Sequence, residues 1–554
     1  FTNNFILEWF ATNDLRARAK FGISKNSSTA EVRLSPQHSD FDEMSETEKG
    51  LYTNAQTKNL NYEGDISVTY GHLFAGNAVA GFNFNTKENS KNGYKAIGFT
   101  EDEFDAPSFT NSYPAGSKPT YTESKTRAAS FYINGGYAYD NRYLFDFNYR
   151  SDGTSVFGTN NRFRNTWSVG LGWNIHAEKF MENCDFFQLL KLRGSVGNPG
   201  NQNFASYQAF STYAFTHWMS NIFGTGVILE GLGNPDLAWQ ETINYSLGTD
   251  VTMFNERVNL TVDLYRKKTD PLVAAITTPS SIGVKSVMMN MGQLKTDGIE
   301  VTLKVSPIYR PQDRFVWNIS LNGTHAKSKY SKIGNRLQSM NEQNQANLNT
   351  TRYYDGGSPT DIWAVRSAGI DPATGQDLFI KKDGTYTFTY DKNDEVVVGN
   401  TEPKLEGVLG TTLYYKGLSF GCYLRYRLGG QVFNNALYEK VENIDREGIN
   451  YNQDKRALYD RWSTPGQEAK FKRISLFQTT ETSSRFVMDE NTLSGESFNI
   501  GYEFTQPFIK HIGLSTLTVQ ANMNDIFRVS SVKSERGIDY PFARTMSFSI
   551  SATF

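Results

Sequence analysis

Arg544-Thr-Met-Ser-Phe-Ser-Ile-Ser-Ala-Thr-Phe554, the last stretch of the 554-residue chain, alternates strictly. Met546, Phe548, Ile550, Ala552 and Phe554 share one parity, and Thr545, Ser547, Ser549, Ser551 and Thr553 the other. Successive side chains of a strand point to opposite faces, so this segment has one apolar flank and one small hydroxylated flank. An edge strand of that kind is an aggregation hazard in a soluble sandwich. It suits the closing strand of a transmembrane barrel, with one flank in lipid and the other toward a wet lumen.

Composition agrees with that reading. The chain carries 39 Phe and 30 Tyr, and aromatics make up 14% of it, as girdles at two membrane interfaces require. Mean hydropathy is −0.51, and no run of about 18 apolar residues exists, which excludes helical spans. A barrel needs no such run, because only every second residue must be apolar. A net charge of −2 gives no reason to expect nucleic acid. The two cysteines, Cys184 and Cys422, are not expected to form a disulfide, and neither has a metal-ligand neighbour. The opening Phe1-Thr-Asn-Asn-Phe reads as the middle of a pattern already running, so earlier strands are expected to lie outside this chain.

Further inward, alternating segments come in pairs joined by tight turns. The first four pairs are Phe5–Phe10 with Leu15–Lys25, Asn59–Phe74 with Ala78–Lys87, Lys125–Tyr139 with Tyr143–Asp152, and Asn165–Ile175 with Phe187–Val196. The next four are Gln240–Met253 with Arg257–Asp270, Met288–Val305 with Phe315–Ser331, Lys404–Tyr415 with Leu418–Leu428, and Leu493–Phe504 with Leu514–Phe527. With the terminal strand this predicts about seventeen strands. Between the pairs run long polar connections: Asn26–Lys58, Glu88–Ser124, Gly197–Trp239, Lys332–Pro403 and Gly429–Thr492. Short turns at one end and long loops at the other define an outer-membrane barrel, short ones periplasmic and long ones extracellular. Compact soluble domains seldom carry so many long loops.

Parity places the charges. Val258, Leu260, Val262 and Leu264 oppose Asn259, Thr261 and Asp263, while Leu418, Phe420, Cys422 and Leu424 oppose Ser419, Tyr423, Arg425 and Arg427. Asp250, Asp263, Arg425 and Arg427 therefore read as lumen-facing wall residues, since an Arg at mid-bilayer on the lipid side costs roughly 2–4 kcal/mol. Arg266 breaks parity and is assigned to the outer rim.

Several stretches carry a family likeness. They are Asp152-Gly-Thr-Ser-Val-Phe-Gly with Asn161-Arg162, Trp167-Ser-Val-Gly-Leu-Gly-Trp-Asn-Ile, Glu178-Lys-Phe, and Leu192-Arg-Gly-Ser-Val-Gly-Asn-Pro-Gly-Asn. Asn234-Pro-Asp-Leu-Ala-Trp-Gln-Glu-Thr with Asp263-Leu-Tyr-Arg-Lys-Lys-Thr-Asp is the most specific. Asn290-Met-Gly, Asp297-Gly-Ile-Glu, Ala368-Gly-Ile-Asp-Pro-Ala-Thr-Gly and Gly399-Asn-Thr-Glu-Pro-Lys complete the set. In order and spacing these resemble the SusC/RagA family of TonB-dependent outer-membrane transporters, and the terminal Phe554 resembles the assembly signal of outer-membrane barrels. The resemblance implies an all-β, transmembrane antiparallel β-barrel of twenty-two strands, of which residues 1–554 form the C-terminal part. The plug domain and the first strands are absent from the sequence in hand, and with them the TonB-contacting segment. It further implies a SusD-like surface lipoprotein as lid, TonB-ExbB-ExbD as energy source, and a pair of barrels with two lids.

Other chemistry finds no support. Asp371-Pro-Ala-Thr-Gly-Gln-Asp377 lacks EF-hand spacing and reads as a turn, so no metal is assigned. None of the six histidines stands in a metal spacing, and no nucleophile–base–acid set emerges, so no cofactor is assigned and the chain is not read as an enzyme. Loop aromatics draw more interest: Phe204, Tyr207, Phe210, Tyr213, Phe215, Trp218 and Phe223 in one loop, Tyr353, Tyr354 and Trp363 in another. Trp218, Tyr353, Tyr354 and Trp363 are the candidate substrate contacts, against packing or lid contact as the plainer role. Arg425 and Arg427 are expected to pair with carboxylates within the protein rather than with acidic substrate. The Glu342–Asn349 run reads as a mobile polar loop tip. The expectation is an importer of nutrients too large for porins, oligosaccharides first. Peptide import is the alternative, then a siderophore or cobalamin receptor, and beyond these a passive porin or a surface adhesin.

Overall fold

The structure is a computed structural model. It describes residues 1–72, 76–99, 102–103, 106–156, 162–199, 210–222, 224–238, 240–444, 450, 453–475, 479–504, 509, 511, 513–533 and 544–554, with the side chains of 72, 216–221 and 225 left aside.

Seventeen wall strands follow one another as an antiparallel meander. They are β1 (Thr2–Phe10), β2 (Leu15–Leu34), β3 (Leu51–His72), β4 (Gly76–Phe99), β5 (Thr120–Tyr139), β6 (Tyr143–Thr154), β7 (Phe163–Asn174) and β8 (Phe187–Asn198). Then come β9 (Thr242–Met253), β10 (Val258–Thr269), β11 (Gln293–Arg310), β12 (Phe315–Ser331), β13 (Leu405–Tyr415), β14 (Leu418–Phe433), β15 (Val487–Phe504), β16 (Thr516–Ser530) and β17 (Thr545–Thr553). With the short strand Thr110–Ser112 on the end of β4 they make one eighteen-stranded sheet. Because the meander alternates direction, every tight turn falls at one end and every long connection at the other. The expected hairpins and the expected strand count are all present.

Three expected segments change. Asn26–Lys58 and Glu88–Ser124 are not loops for most of their length: β2, β3 and β4 run on through them, β4 for 24 residues. At about 3.4 Å per residue that is about 80 Å, whereas about 9–11 residues cross a bilayer. The outer half of these strands stands in water, so both faces are polar and alternation vanishes as a signal. The segment expected as Met288–Val305 is broken at Gly292 (φ 67°), where a left-handed residue ends a loop strand, Ser286–Met291, before β11 begins.

Register fixes the two faces. Leu190, Val251, Leu260, Leu303, Leu321, Leu409 and Leu424 lie directly opposite one another across seven adjacent strands, β8 to β14. Directly opposed residues share a face, so this is one continuous aliphatic belt. On the other face Asp263, Glu300, Thr324, Glu406 and Arg427 form an equally continuous polar row. Asp250, Thr261, Thr302, Asn322 and Arg425 form a second, interrupted only by Val408 on β13. In β17 the apolar parity is open to the surroundings, with Phe548 and Ile550 72% and 73% exposed. A soluble fold would have buried these side chains.

The two largest connections fold upon themselves. The one after β12 holds helix α1 (Gln338–Ala346) and a four-stranded sheet of Asp361–Ile370, Asp377–Ile380, Tyr386–Thr387 and Glu395–Asn400. Glu342–Asn349 is thus no loop tip: its first half completes α1, and Asn341 and Asn344 hydrogen-bond to the Thr351 and Tyr353 backbone. Amide side chains that read as solvent-loving in the sequence are here tying a helix down. The connection after β14 closes around Leu437, Val441, Ala457, Phe471 and Phe486. Burying each large member contributes about 1.5–3 kcal/mol.

Candidate functional site

The wall supplies paired charges. Arg193 on β8 reaches Asp250 on β9 at 3.0 Å and Asp263 on β10 at 2.8 Å. Thr261 also donates to Asp250. Arg425 pairs with Glu496 at 2.7 Å, and Arg427 lies 3.3 Å from Glu406 and 3.8 Å from Glu490. All four wall residues singled out from parity share the face opposite the leucine belt, and each finds a counter-charge within the sheet: Asp250, Arg425 and Arg427 on a neighbouring strand, Asp263 across β9 on β8. Arg193 was missed, although its place opposite Gly248, between two acids, follows from register. The parity-breaking Arg266 pairs with Asp297 at 2.5 Å.

The two folded connections are joined by buried charge. Arg485, beside β15, binds Asp377 at 2.7 Å and Glu442 at 3.0 Å, and all three are nearly inaccessible. Burial pushes the Arg485 guanidinium down, but Glu442 and Asp377 more than offset it and leave it above the ordinary arginine value. At Lys472 nearby burial outweighs the pull of the same two acids and lowers its ammonium below the usual range. Trp462 donates its indole N–H to the Pro372 carbonyl and lays its ring against Gly375, so the second connection also clasps the Asp371–Asp377 turn of the first. In that turn Asp371 accepts from the Thr374 amide and hydroxyl, which hold its carboxyl below the usual range. Asp371 and Asp377 thus both have partners inside the fold.

Between α1 and the small sheet opens a cavity of about 680 Å³. Its floor is the ion pair Arg352–Glu395, with side chains 2% and 6% exposed. Arg352 spends all five N–H donors: three contacts reach the Glu395 carboxylate, and the rest reach the Asn349 and Thr351 carbonyls. Gln345 of α1 adds a fourth contact to Glu395 at 3.1 Å. Tyr354 and Trp363 form one wall, their ring centroids 5.2 Å apart and tilted by 47°. Asn335, Gln338 and Asn393 line the rim together with Glu342, Lys382 and Lys392.

Of the four aromatic candidates, the structure brings Tyr354 and Trp363 together in this cavity. Tyr353, on the opposite side of the chain, packs on Tyr330 against the cluster of Met291, Ile333 and Leu337, so its contacts are those of a core residue. Trp218 sits on the loop strand Thr212–Asn221, with its side chain outside the described residues. Phe204, Tyr207 and Phe223 also lie outside them, while Tyr213 and Phe215 are exposed. The floor pair and the rim amides were not legible, because Arg352 and Glu395 are 43 residues apart and neither stands in a motif.

The family stretches have structural work of their own. Asn234 donates to the Met288 carbonyl, and Asn290 exchanges two hydrogen bonds with Ala238 at 2.7 and 2.8 Å. Thus Asn234–Ala238 and Asn290-Met-Gly are one joint seen from both sides. Glu178, at the tight-turn end, accepts from Tyr143, Trp173 and Arg142 at 2.7, 3.0 and 3.2 Å.

A family model described as "TonB dependent receptor-like, beta-barrel" matches residues 1–434. The chain belongs to that family of outer-membrane transporters and receptors, which are not enzymes. Within it the likeness is to the SusC/RagA type. TonB-dependent receptor P39 of Formosa agariphila is 24% identical over 95% of this chain and 57% of its own length. TonB-dependent receptor SusC of Bacteroides thetaiotaomicron is 25% identical over 77% of this chain and 42% of its own. Among solved structures, that of the RagAB peptide transporter superposes with a TM-score of 0.86 at 21% identity, over 100% of this chain and 61% of that one. The chain spans about half the length of these curated relatives.

Proposed function

We propose that this chain forms the C-terminal wall and outer mouth of an importer for nutrients too large for porins, oligosaccharides first. In this reading the long-loop end faces outward, and the tight turns and the C-terminus face the periplasm. A SusD-like lipoprotein closes the mouth, and TonB-ExbB-ExbD draws on a plug outside residues 1–554. The assembly is a pair of barrels with two lids. The observation that carries the cargo class is the Tyr354–Trp363 pair, two aromatic faces side by side on a folded outer loop. Aromatic faces bury the C–H faces of sugars while their polar tips stay wet. The work is binding and orientation: loops capture, and the polar wall rows present a hydrated, charge-balanced surface to whatever passes. Paired lumen charges neither hold an ionic cargo nor repel a neutral one.

Peptide import is the second reading, favoured by the likeness to structures titled as a peptide transporter and importer. A deletion strain grown on defined glycans and on defined peptides as sole nutrient separates the two. Loss of growth on a glycan supports the first reading and loss on peptides the second. Unimpaired growth on all of them refutes both.

A further inference from the structure

We propose that the cavity between α1 and the Asp361–Asn400 sheet is a preassembled subsite for a neutral oligosaccharide, complete without lid or plug. The proposal rests on the oligosaccharide-importer reading and adds the place and chemistry of first capture.

Four observations converge on it. At about 680 Å³ the cavity falls within the roughly 300–1,000 Å³ of small-molecule sites. Its floor offers no unspent charge: Arg352 has used five donors on Glu395 and two carbonyls, and Glu395 is also held by Gln345. An anionic ligand therefore finds no counter-ion at depth, and the rim lysines Lys382 and Lys392 are solvated and offset in part by Glu342. Tyr354, 46% exposed, and Trp363 supply ring faces for the apolar side of a pyranose. Asn335 and Asn393 have no side-chain partner among the described residues. An amide both donates and accepts, which matches a hydroxyl that does the same.

Preassembly follows from how α1 is held. Asn341 exchanges two hydrogen bonds with Tyr353, and Asn344 and Gln345 add contacts to Thr351 and Lys392 backbone carbonyls. The helix that roofs the cavity is fixed by this chain alone. A peptide adding as a strand to the Glu395–Asn400 edge is the competing occupant.

The test uses the full-length transporter, purified in detergent without its lipoprotein. It is titrated by calorimetry with hexaoses of α-1,4- and β-1,4-glucose, β-1,4-xylose and β-1,4-mannose, and with a tryptic casein digest. The expected result is binding of at least one hexaose, weakened about tenfold by Tyr354→Ala and by Asn393→Ala. Tyr354→Phe keeps the ring and binding close to wild type, and Tyr386→Ala, exposed on the same loop outside the cavity, changes nothing. Both informative positions are exposed, so truncation leaves the fold in place. Hexaose binding untouched by both variants overturns the subsite and leaves the importer reading standing. So does an absence of hexaose binding in a protein whose deletion abolishes growth on a glycan. Peptide binding that Tyr354→Ala removes overturns the ligand class. Glycan growth that never depends on the protein removes the importer reading itself.

Discussion

Replacing Arg352 by Ala should open the loop body while leaving the wall intact. The side chain is 2% exposed and carries the whole positive charge at the cavity floor. Its loss strips three contacts from the Glu395 carboxylate, leaving Gln345, and frees the Asn349 and Thr351 carbonyls. Removing one partner of a buried pair typically costs about 3–5 kcal/mol, because an uncompensated charge remains in a dry place. The wall does not share that cost, since its strands are joined by their own ladders on both sides of the insertion. At 1.4 kcal/mol per tenfold, amides of Asp361–Ile370 and Glu395–Asn400 should lose protection from hydrogen exchange by about 10²–10³-fold or more. Amides of β12 and β13 should keep theirs. Arg352→Met with Glu395→Met should recover most of the loss, because exchanging both charges for apolar volume is often neutral. Wild-type protection in the single variant would refute the account, as would equal loss throughout the wall.

Three other outcomes follow. Leu321→Arg, in the middle of the aliphatic belt, should cost up to about 2–4 kcal/mol of barrel stability in lipid, whereas Asn322→Arg on the opposite face should cost little; refolding into vesicles across a urea series reads the difference. Hydrogen bonds from Tyr143 and Trp173, then Arg142, hold the Glu178 carboxyl below its usual range against the upward push of burial. Its folded pKa thus lies under the unfolded value of about 4.3. Its contribution is complete above that value and disappears as pH falls through the folded one, and Glu178→Gln should flatten thermal stability across that acid window. Gly375 has φ 69° and the Trp462 ring where a Cβ would stand, so Gly375→Ala should loosen the clasp between the two outer connections, read as faster proteolysis at the Asp371–Asp377 turn.

The hairpins were legible because lipid enforces period two wherever a strand crosses it, and tight turns such as Asp140-Asn-Arg142 and Lys416-Gly417 punctuate that period. Legibility ended where the strands left the hydrocarbon. The outer parts of β3 and β4, Leu51 to Lys58 and Glu88 to Phe99, are bordered by water on both faces, carry polar residues on either parity and read as loop. Helix α1 was hidden for a related reason: its Gln and Asn residues make side-chain bonds to backbone that no periodicity records. The aromatic candidates Tyr353 and Tyr354 are neighbours in sequence with the same chemistry. Only the turn of the chain between α1 and Asp361 decides that one packs on Tyr330 and the other looks into the cavity.

The Asp377–Arg485–Glu442 triad sets a rule for how such a mouth can diversify. Transplanting the segment after β12 from a relative without its own acid at position 377 would leave the Arg485 guanidinium with one of its two acids, and exchanging the later segment alone would orphan Asp377. New cargo preferences should therefore be inherited as a matched pair of inserts, and a chimaera built from one of them should be rescued by bringing in the other.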